Sequence, residues 1–461
     1  MNKSHRLEHN VWLDIIRENY ELQGEPLKKR SVKVGIIGFG TVGAGTARIL
    51  LRKRTQLERK LGFPLVLKNI ADLDTKRDRG LRLPKGILIN NAKAVLNDPD
   101  IDVIVELIGG IHPAKEFILQ ALRNGKHVVT ANKALLATEG HEIFRAAEQN
   151  NVDIGFEASV AGSIPIIKVV RESLVGNNIK SIYGIINGTS NYILTKMTDE
   201  GIDFSSALKE AQALGYAEAD PTFDIEGIDS AHKLTILVSL AFGVPLSFKK
   251  IYTEGITKIT PLDIQFASEF GYKIKLLAIA KQSGKDVEVR IHPTMLPDSH
   301  MIAGVNGVFN AIYIESDATG SQLYYGRGAG EMPTGSAVVS DIADIALNIR
   351  NRAAGRIRKS VIAEHSGLNI KKMEDIRTCY YLRFFALDKP GVLSRISGIL
   401  AEYNISIKSM IQKGRKAEKA VPVVMMTHEA REKDMMQALR KIDRLSLISG
   451  KTMYLRVEGG E

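Results

Sequence analysis

The sequence predicts an α/β protein in which a parallel-sheet domain is followed by an α+β domain and a C-terminal ferredoxin-like βαββαβ domain. From Val32 onward, short β-rich apolar runs alternate with longer helical patterns, which indicates βαβ units. Residues 158–352 mix helical and strand-like stretches, and the chain after Gly367 follows the order strand, helix, two strands, helix, strand. With 461 residues and 44% apolar composition, the chain is long enough for several cores.

The predicted boundaries follow these changes of pattern. Residues 1–30 form a polar extension with a candidate amphipathic helix at 11–20, and no function is assigned to it. Within the α+β part, residues 205–214 and 272–280 are predicted as helices, whereas "SIYGIIN" and "DVEVRIHPTML" are predicted as strands. The remaining predicted segments are the parallel-sheet domain at 31–157, the α+β domain at 158–324, a linker at 354–378 and the C-terminal domain at 379–461.

Charge and cysteine content argue against several classes of protein. The 63 basic and 52 acidic side chains leave a net charge of +11, but most basic residues stand among acids, as in "REKDMMQALRKIDR". This mixture is typical of a solvated surface and does not indicate nucleic-acid binding. The single cysteine, Cys379, excludes an intramolecular disulfide and favours a reducing compartment. Because neither a signal-peptide core nor a membrane-length apolar run occurs, we expect a cytoplasmic protein without a membrane partner.

The first apolar strand leads directly into a glycine-rich turn. "VKVGIIGFGTVG" places Gly38, Gly40 and Gly43 where a helix is predicted to begin. Gly38 allows the turn, Gly40 lets the backbone approach a pyrophosphate, and Gly43 lets the helix pack closely on the strand. In this context the GxGxxG pattern predicts a Rossmann-type NAD(P)-binding domain. The other predicted cofactor contacts in this turn are Phe39, Thr41 and Val42.

The end of the next strand carries opposing signals for the choice of cofactor. Asp72 is placed to accept a hydrogen bond from a ribose hydroxyl, which suits NAD, whereas Lys76 and Arg77 could meet the 2′-phosphate of NADP. The two basic residues are equally typical of ordinary loop surface. We therefore expect NADP, with use of NAD left open.

Two charged segments indicate chemistry near this turn. "GKHVVTANKALLA" places Asn132 and Lys133 just after an apolar strand, at the sheet edge where open α/β folds bind ligands. "GYAEADPTFDIEGIDSAHKLTIL" concentrates acids with Lys233, and Asp229 precedes Lys233 by one helical turn. Charges that enter an apolar helix are costly unless they are paired or bind a charged substrate. The pattern predicts a functional pocket, with a structural ion-pair cluster as the alternative.

Nine motifs in series resemble the homoserine dehydrogenase family, from about residue 32 to about residue 352. They are "GFGTVG", "VELIGG", "GKHVVTANKALLA", "FEASVAGSIPII", "GIINGTSNYILTKM", "GYAEADPTFDIEGIDSAHKL", "YTEGI", "GYKIKLLAIAK" and "GRGAGEMPTGSAVVSDI". The resemblance implies interconversion of aspartate semialdehyde and homoserine by a homodimer. In that family the middle domain supplies the substrate pocket and the dimer sheet, and residues 325–353 would return to the nucleotide domain.

The resemblance also implies roles for single residues. Lys133 and Lys233 would be the catalytic lysines, because a lysine ammonium can stabilise and protonate the alkoxide that hydride transfer creates, without a metal. The residues that would hold the amino-acid substrate are Glu218, Asp224, Asp229, Gly188 and Thr189. Further cofactor contacts would come from Thr130, Asn132, Lys133, Gly328 and Glu331.

A structural sodium or potassium ion is implied only by the resemblance. Its ligands would come from Glu157, Val160, Gly162 and Ile164. Backbone carbonyl ligation leaves no side-chain signature, so the residues alone favour a strand-end acid at this position. Two histidines, His232 and His292, are interpreted as structural.

The C-terminal segment "FFALDKPGVLSRISGILAEYNISIKSM" resembles an ACT domain, a ligand-sensing module that is usually paired. "DKPG" turns the chain between strand and helix, so we expect Asp388, Gly391 and Asn404 at an effector site. By resemblance the effector would be an end product such as threonine. A purely oligomerising domain is the alternative, and the sequence leaves dimer and tetramer open.

Three other functions are disfavoured. Aspartate-semialdehyde dehydrogenase requires a nucleophilic cysteine, but Cys379 lies far along the chain from the cofactor motif. An aspartate kinase fusion does not fit, because the roughly thirty residues before the nucleotide domain cannot hold a kinase. A nucleotide-sensing regulator that binds nucleic acid lacks a helix-turn-helix or an aromatic and basic platform.

Overall fold

The computed structural model describes residues 31–245, 247–356, 367–412 and 420–459. The predicted N-terminal extension and part of the predicted linker lie outside these ranges. The described strands form two sheets, one of six strands and one of twelve. No helix in the described part of the chain combines the length and apolar character needed to cross a membrane.

The first sheet is parallel throughout and has the order β3-β2-β1-β4-β5-β6. Its strands are β1 (Val32–Ile37), β2 (Leu65–Ala71), β3 (Leu88–Ile89), β4 (Val103–Glu106), β5 (His127–Thr130) and β6 (Ile154–Gly155). The helices are α1 (Thr41–Arg52), α2 (Arg54–Leu61), α3 (Ala92–Asn97), α4 (Ala114–Arg123) and α5 (Lys133–Gln149). This strand order is that of dinucleotide-binding domains, and it confirms the predicted Rossmann-type fold.

Two glycines set how closely α1 packs on its neighbours. A Cβ atom on Gly43 would lie 2.1 Å from the carbonyl oxygen of Gly38, and one on Gly45 would lie 2.1 Å from the carbonyl oxygen of Glu331. Gly43 therefore lets α1 begin directly against the turn after β1. Gly45 lets the long helix that begins at Glu331 cross α1 in contact with its backbone.

The second part of the chain contributes an antiparallel sheet of order β12-β11-β7-β9-β10. These strands are β7 (Ile179–Ile185), β8 (Tyr252–Thr253), β9 (Tyr272–Ser283), β10 (Asp286–Pro297), β11 (Phe309–Ser316) and β12 (Gly320–Arg327). The helices are α6 (Ile166–Lys168), α7 (Gly188–Glu200), α8 (Phe204–Ala213), α9 (Thr222–Ile225), α10 (Ile228–Phe242), α11 (Pro261–Glu269) and α12 (Glu331–Asn351).

The helix predicted at residues 272–280 is wrong, because this segment is the central strand β9. It pairs with β7 on one side and β10 on the other. Residues 274–280 are all buried, since both faces of the strand are covered. A strand buried on both faces loses the alternation of apolar and polar residues, and its sequence can then be mistaken for a buried helix.

The C-terminal part has the predicted βαββαβ order. Its strands are β13 (Asn369–Ile370), β14 (Arg377–Leu387), β15 (Ile407–Gln412), β16 (Ala420–Thr427), β17 (Ala430–Arg431) and β18 (Met453–Val457), and its helices are α13 (Val392–Glu402) and α14 (Glu432–Ile442). The last strand, β18, pairs with β14 and also with β10 of the preceding domain. The two domains therefore share one continuous sheet, which the sequence did not predict.

Buried ion pairs cross this shared seam. Arg456 on β18 lies 3.0 Å from Glu254 of the preceding domain and 2.5 Å from Glu432 of its own domain. Arg290 on β10 pairs with Glu458. Both arginines are almost completely enclosed, so the charge of each has to be compensated by these acids within the core.

Candidate active site

A buried carboxylate, Asp229, links two lysines from different parts of the chain. Asp229 lies in the first turn of α10 and is only 3% exposed. Its Oδ2 atom lies 2.7 Å from Lys233 Nζ, one turn later, and its Oδ1 atom lies 3.0 Å from Lys133 Nζ. Lys133 is the first residue of α5, directly after β5. The cluster therefore joins the nucleotide domain to the second domain.

The two lysines differ in their proton affinity. Burial opposes ionisation of Asp229, but the charges of Lys233 and Lys133 outweigh it and hold the pKa of Asp229 well below its usual range. The negative charge of Asp229 raises the pKa of Lys133, against the effect of burial. For Lys233, burial is the larger effect and lowers the pKa despite the same carboxylate. Lys133 is thus the more firmly cationic lysine, and Lys233 exchanges its proton more readily.

Asn187 orders the acids of the cluster, and the sequence analysis missed it. Its side chain caps α7 by accepting a hydrogen bond from Ser190 N at 2.8 Å. Its Nδ2 atom donates to Asp224 Oδ1 at 2.7 Å and to Asp229 Oδ2 at 2.9 Å. An asparagine before a helix is a recognisable capping signal, but nothing local indicates its second role.

A cavity of about 390 Å³ adjoins this cluster. The predicted residues that line it are Lys133, Gly188, Thr189, Asp224, Asp229, Lys233 and Gly328. Glu218 is exposed and does not line this cavity, although its charge contributes to the raised pKa of Lys133. Tyr216 and Arg327 also line it and were not predicted.

A second cavity, of about 510 Å³, lies at the carboxyl ends of the parallel strands. Gly38, Gly40 and Asp72 line it, as predicted for a nucleotide site. A Cβ atom on Gly40 would meet nothing within 4 Å, so the backbone there is open to a ligand. No side chain caps the N-terminus of α1 and its first turn holds no acid, which suits a bound pyrophosphate.

The carboxylate of Asp72 is held within its own loop. It accepts hydrogen bonds from Phe39 N at 2.5 Å and Asp74 N at 2.8 Å, and it lies 3.3 Å from Arg79 Nη2. The guanidinium of Arg79 also covers the buried ring of Phe39 at 4.8 Å. Arg79, rather than Lys76 or Arg77, is therefore the basic residue in contact with Asp72. The side chains of Lys76 and Arg77 are exposed.

Three other predicted cofactor residues support the surrounding loops with their side chains. Thr130 is fully buried and donates to Glu106 Oε2 at 2.7 Å. Asn132 caps α5 and donates to the Gly110 carbonyl at 2.6 Å. Glu331 pairs with Arg48 of α1 at 2.8 Å. Thr41, Val42 and Gly43 form the first turn of α1.

The residues of the predicted cation site lie in a buried turn beside α6. Glu157 accepts hydrogen bonds from the backbone N–H groups of Ile167 at 2.8 Å and Lys168 at 3.0 Å. Burial raises the pKa of Glu157 to about 7. Between Val160 and Ile164, Ala161 and Gly162 adopt positive φ angles of 54° and 57°. In the described ranges no group of three or more His, Cys, Asp or Glu side chains could hold a metal ion.

The C-terminal domain has a cavity of about 390 Å³ at the predicted effector turn. Asp388 and Gly391 line this cavity, and Asn404 does not. The Oδ2 atom of Asp388 is buried without a hydrogen-bond partner among the described residues. An unpartnered buried carboxylate oxygen is costly unless a ligand or a water binds it.

The two histidines are enclosed by structural contacts. His232 packs between the rings of Phe223 and Phe248, with centroid separations of 5.3 and 4.4 Å. His292 is completely buried, where burial and nearby arginines hold its pKa well below the ordinary value. Neither histidine lines the cavity beside Asp229.

Family models match three parts of the chain. Residues 38–157 match "Homoserine dehydrogenase, NAD binding domain", residues 165–343 match "Homoserine dehydrogenase", and residues 380–445 match "ACT domain". Two relatives named homoserine dehydrogenase, from Neisseria gonorrhoeae and Pseudomonas aeruginosa, are each 46% identical. Both alignments cover 93% of this chain and 99% of the relative.

Solved structures show the same similarity. A homoserine dehydrogenase from Thiobacillus denitrificans is 47% identical with a TM-score of 0.87, covering 93% of this chain and 98% of that one. A hyperthermophilic archaeal homoserine dehydrogenase in complex with NADPH is 30% identical with a TM-score of 0.60. That match covers 69% of this chain and 98% of the archaeal one.

Proposed function

This chain belongs to the homoserine dehydrogenase family, and we propose that it interconverts L-aspartate 4-semialdehyde and L-homoserine at the cavity beside Asp229, with NADP or NAD. The observation that carries the proposal is the cluster of Lys133, Asp229 and Lys233, which lies where the nucleotide domain meets the second domain. Homoserine made here would feed the synthesis of threonine, methionine and isoleucine.

The two lysines are suited to different tasks in this reaction. When bound, the nicotinamide cofactor supplies or accepts the hydride at the substrate carbon. Lys133, which is firmly cationic, stabilises the negative charge on the substrate oxygen. Lys233 donates to Asp229 and to the Ile186 carbonyl, and its third N–H can transfer a proton to or from that oxygen. A lowered pKa favours this transfer near neutral pH.

The remaining lining residues match the two charged ends of the amino-acid substrate. Asp224 lines the cavity and supplies a partner for the α-ammonium, with Glu218 adding negative charge nearby. At the N-terminus of α7, Gly188 and Thr189 line the side that suits the α-carboxylate. Arg327, the third cation on the lining, makes no ion pair with the described residues and adds positive charge for the same group.

Measurement of homoserine-dependent NADP reduction tests this function. We expect Lys233→Met to lower kcat by roughly a hundredfold or more, because the proton-transfer group is lost. Lys258→Met is the matched control, since Lys258 is exposed in the same domain and should leave kcat unchanged. A wild-type protein that binds NADP but shows no homoserine-dependent reduction would contradict the proposal.

An amino-acid effector, such as threonine, is proposed for the cavity at Asp388 and Gly391. The unpartnered Asp388 oxygen suits an α-ammonium group. In the same assay, threonine should inhibit the wild type, and Asp388→Asn should raise the inhibitory concentration about tenfold or more. Equal inhibition of both proteins would place the effector elsewhere, and none in the wild type would exclude threonine.

Assembly and ion binding are further parts of the proposal. We expect a homodimer formed through the second domain, or a tetramer if the C-terminal domains also pair. In the described part of the chain, β12 and β15 end the long sheet, so each offers an edge for such contacts.

A sodium or potassium ion is proposed at the buried turn of Glu157, Val160, Gly162 and Ile164, where an acidic side chain lies beside a sharply turned backbone.

A further inference from the structure

Lys275, near the start of β9, is a buried cation without an ion-pair partner in the described part of the chain. It is 3% exposed. Its ammonium donates to the Val305 carbonyl at 2.6 Å, to Asn306 Oδ1 at 2.9 Å and to Asn191 Oδ1 at 3.4 Å. All three acceptors are neutral. The ammonium therefore fastens one loop, at residues 305–306, to helix α7.

The same loop is held from α7 by a second set of bonds. Asn191 Nδ2 donates to the carbonyls of Val305, Gly307 and Phe309 at 3.2, 2.9 and 3.3 Å. Thr195, one turn later on α7, accepts a hydrogen bond from Gly307 N at 3.0 Å. Lys275 and α7 thus hold residues 305–309 as one unit.

This unit forms a wall of the cavity beside Asp229. Val308 lines that cavity, together with Gly188 at the start of α7. The two backbones are in close contact, because a Cβ atom on Gly188 would lie 2.8 Å from the Val308 carbonyl oxygen. A shift of residues 305–309 would therefore change the cavity next to the N-terminus of α7.

We propose that Lys275 is a positioning residue for the amino-acid substrate, because its ammonium fixes residues 305–309 against α7 and so sets the shape of the substrate cavity. This inference rests on the substrate site proposed above. Lys275 does not touch the reacting atoms. Its effect should fall on the KM for homoserine, whereas kcat and the KM for NADP should change little.

The stability of the fold does not account for a lysine at this position. Burial, with the charge of Lys273 as a smaller effect, lowers the pKa of Lys275 to about 8, and Asp199 opposes the shift. From the adjacent strand β10 the facing residue is the uncharged Thr294, and from the loop it is Asn306. Since an ordinary lysine titrates near 10.5, the unfolded chain binds this proton more tightly. Below about pH 8 the charged Lys275 therefore makes its full unfavourable contribution to the free energy of folding. This contribution decreases as the pH rises towards 10.5.

The pH dependence of substrate binding follows from the same bonds. Above about pH 8 the neutral amine has one donor fewer, and its remaining bonds are weaker. We expect the KM for homoserine to rise from this pH upward, while the KM for NADP stays level. Homoserine loses its own α-ammonium proton at alkaline pH in every variant alike, so variants are compared with one another at each pH.

Steady-state kinetics of Lys275→Met between pH 6.5 and about 9.5 test the inference. Methionine keeps the length and apolar stem of lysine but cannot bond the loop. We expect a KM for homoserine about tenfold higher at pH 7, a smaller rise with pH than in the wild type, and a Tm that is unchanged or higher. A lower Tm with an unchanged KM would assign Lys275 to structure alone and overturn the inference.

Two variants that each remove one charge near Lys275 keep the test decisive if Lys275→Met does not fold. Lys273→Met removes a repelling charge, so the rise in KM should move to higher pH. Asp199→Asn removes an attracting charge, so the rise should move to lower pH. Identical pH profiles for the two would overturn the inference. A wild type without homoserine-dependent activity would instead refute the proposed function.

Discussion

We call the cavity at Gly38, Gly40 and Asp72 the nucleotide cavity and the cavity beside Asp229 the substrate cavity, after the ligands proposed for them. The two differ in the groups that form their walls. Around Gly38 and Gly40 the turn exposes main chain, and the rest of the lining is mostly apolar. Around Asp229 the lining carries charged side chains, and Asp229 pairs there with both Lys133 and Lys233. NADP binding at the first cavity should therefore weaken when an atom is added to the turn. Homoserine turnover at the second should fall when a charge is removed.

The largest effect is expected from an added methyl group in the nucleotide turn. In Gly43→Ala the new Cβ would lie 2.1 Å from the Gly38 carbonyl oxygen, so α1 or the turn must move. Because that helix start is the proposed pyrophosphate site, we expect NADP binding to weaken by roughly a hundredfold, with a lower Tm. Isothermal titration with NADP, and thermal melting, measure both.

Gly398→Ala is the control for this substitution. Gly398 lies within α13, and a Cβ atom there would meet nothing within 4 Å. We expect unchanged NADP affinity and a stability gain of about 0.5–1 kcal/mol. If Gly43→Ala bound NADP as well as this control did, the close approach of α1 to the turn would not matter for the cofactor.

The difference between the cavities also explains what the sequence could predict. The glycines of the nucleotide turn are neighbours in sequence, and Asp229 and Lys233 are one helical turn apart, so local spacing was sufficient. The bridge from Lys133 to Asp229 depends on how two domains pack and was not predicted; the family resemblance only assigned both residues to one active site. Asn187 was missed because a capping asparagine gives no sign of the acids that it will also meet.

The errors in the predicted fold have a related cause. The sequence of β9 resembles that of a buried helix. Its edges pair with β7 and β10 and both of its faces are covered, so it lacks an alternating polar face. The pairing of β18 with β10 joins distant parts of the chain through backbone groups, which no side-chain pattern reports. Contacts between elements that are distant in sequence, within a domain or between domains, are what the sequence patterns do not report.

A smaller but still large effect is expected when a charge is removed from the substrate cavity. Asp229→Asn leaves Lys133 and Lys233 close together without their shared carboxylate, so the pKa of Lys133 should fall and the substrate oxygen lose its ordered donors. We expect kcat/KM for homoserine to drop by roughly fifty-fold, with NADP affinity within about twofold of the wild type. Steady-state kinetics and NADP titration separate the two.

Asp220→Asn provides the comparison for this variant, since Asp220 is an exposed acid of the same segment whose side chain, among the described residues, bonds only to Thr222. Its kinetics should match the wild type. Loss of NADP affinity in Asp229→Asn, to the same extent as homoserine turnover, would mean that the two cavities behave as one unit. The contrast between main-chain and side-chain recognition would then be wrong.

The smallest effect is expected at Arg79, which contacts Asp72 on the lining of the nucleotide cavity. Arg79→Met removes the cation beside Asp72, so that the carboxylate, still bonded to the Phe39 and Asp74 N–H groups, can also accept a hydrogen bond from a ribose hydroxyl. We expect the KM for NADP to rise about three- to tenfold while the KM for NAD stays level or falls, so the preference for NADP weakens. The ratio of kcat/KM for the two cofactors measures this change.

Arg77→Met decides between the loop residue predicted from the sequence and the residue in contact with Asp72. Arg77 is exposed, whereas Arg79 also donates to the Phe39 carbonyl and covers the Phe39 ring, so its guanidinium is already oriented. An oriented cation loses less side-chain entropy when it binds a phosphate, which favours Arg79 as the larger contributor. A greater loss of NADP preference in Arg77→Met would mean that the flexible loop recognises the phosphate. Side-chain order at Asp72 would then have no part in the choice of cofactor.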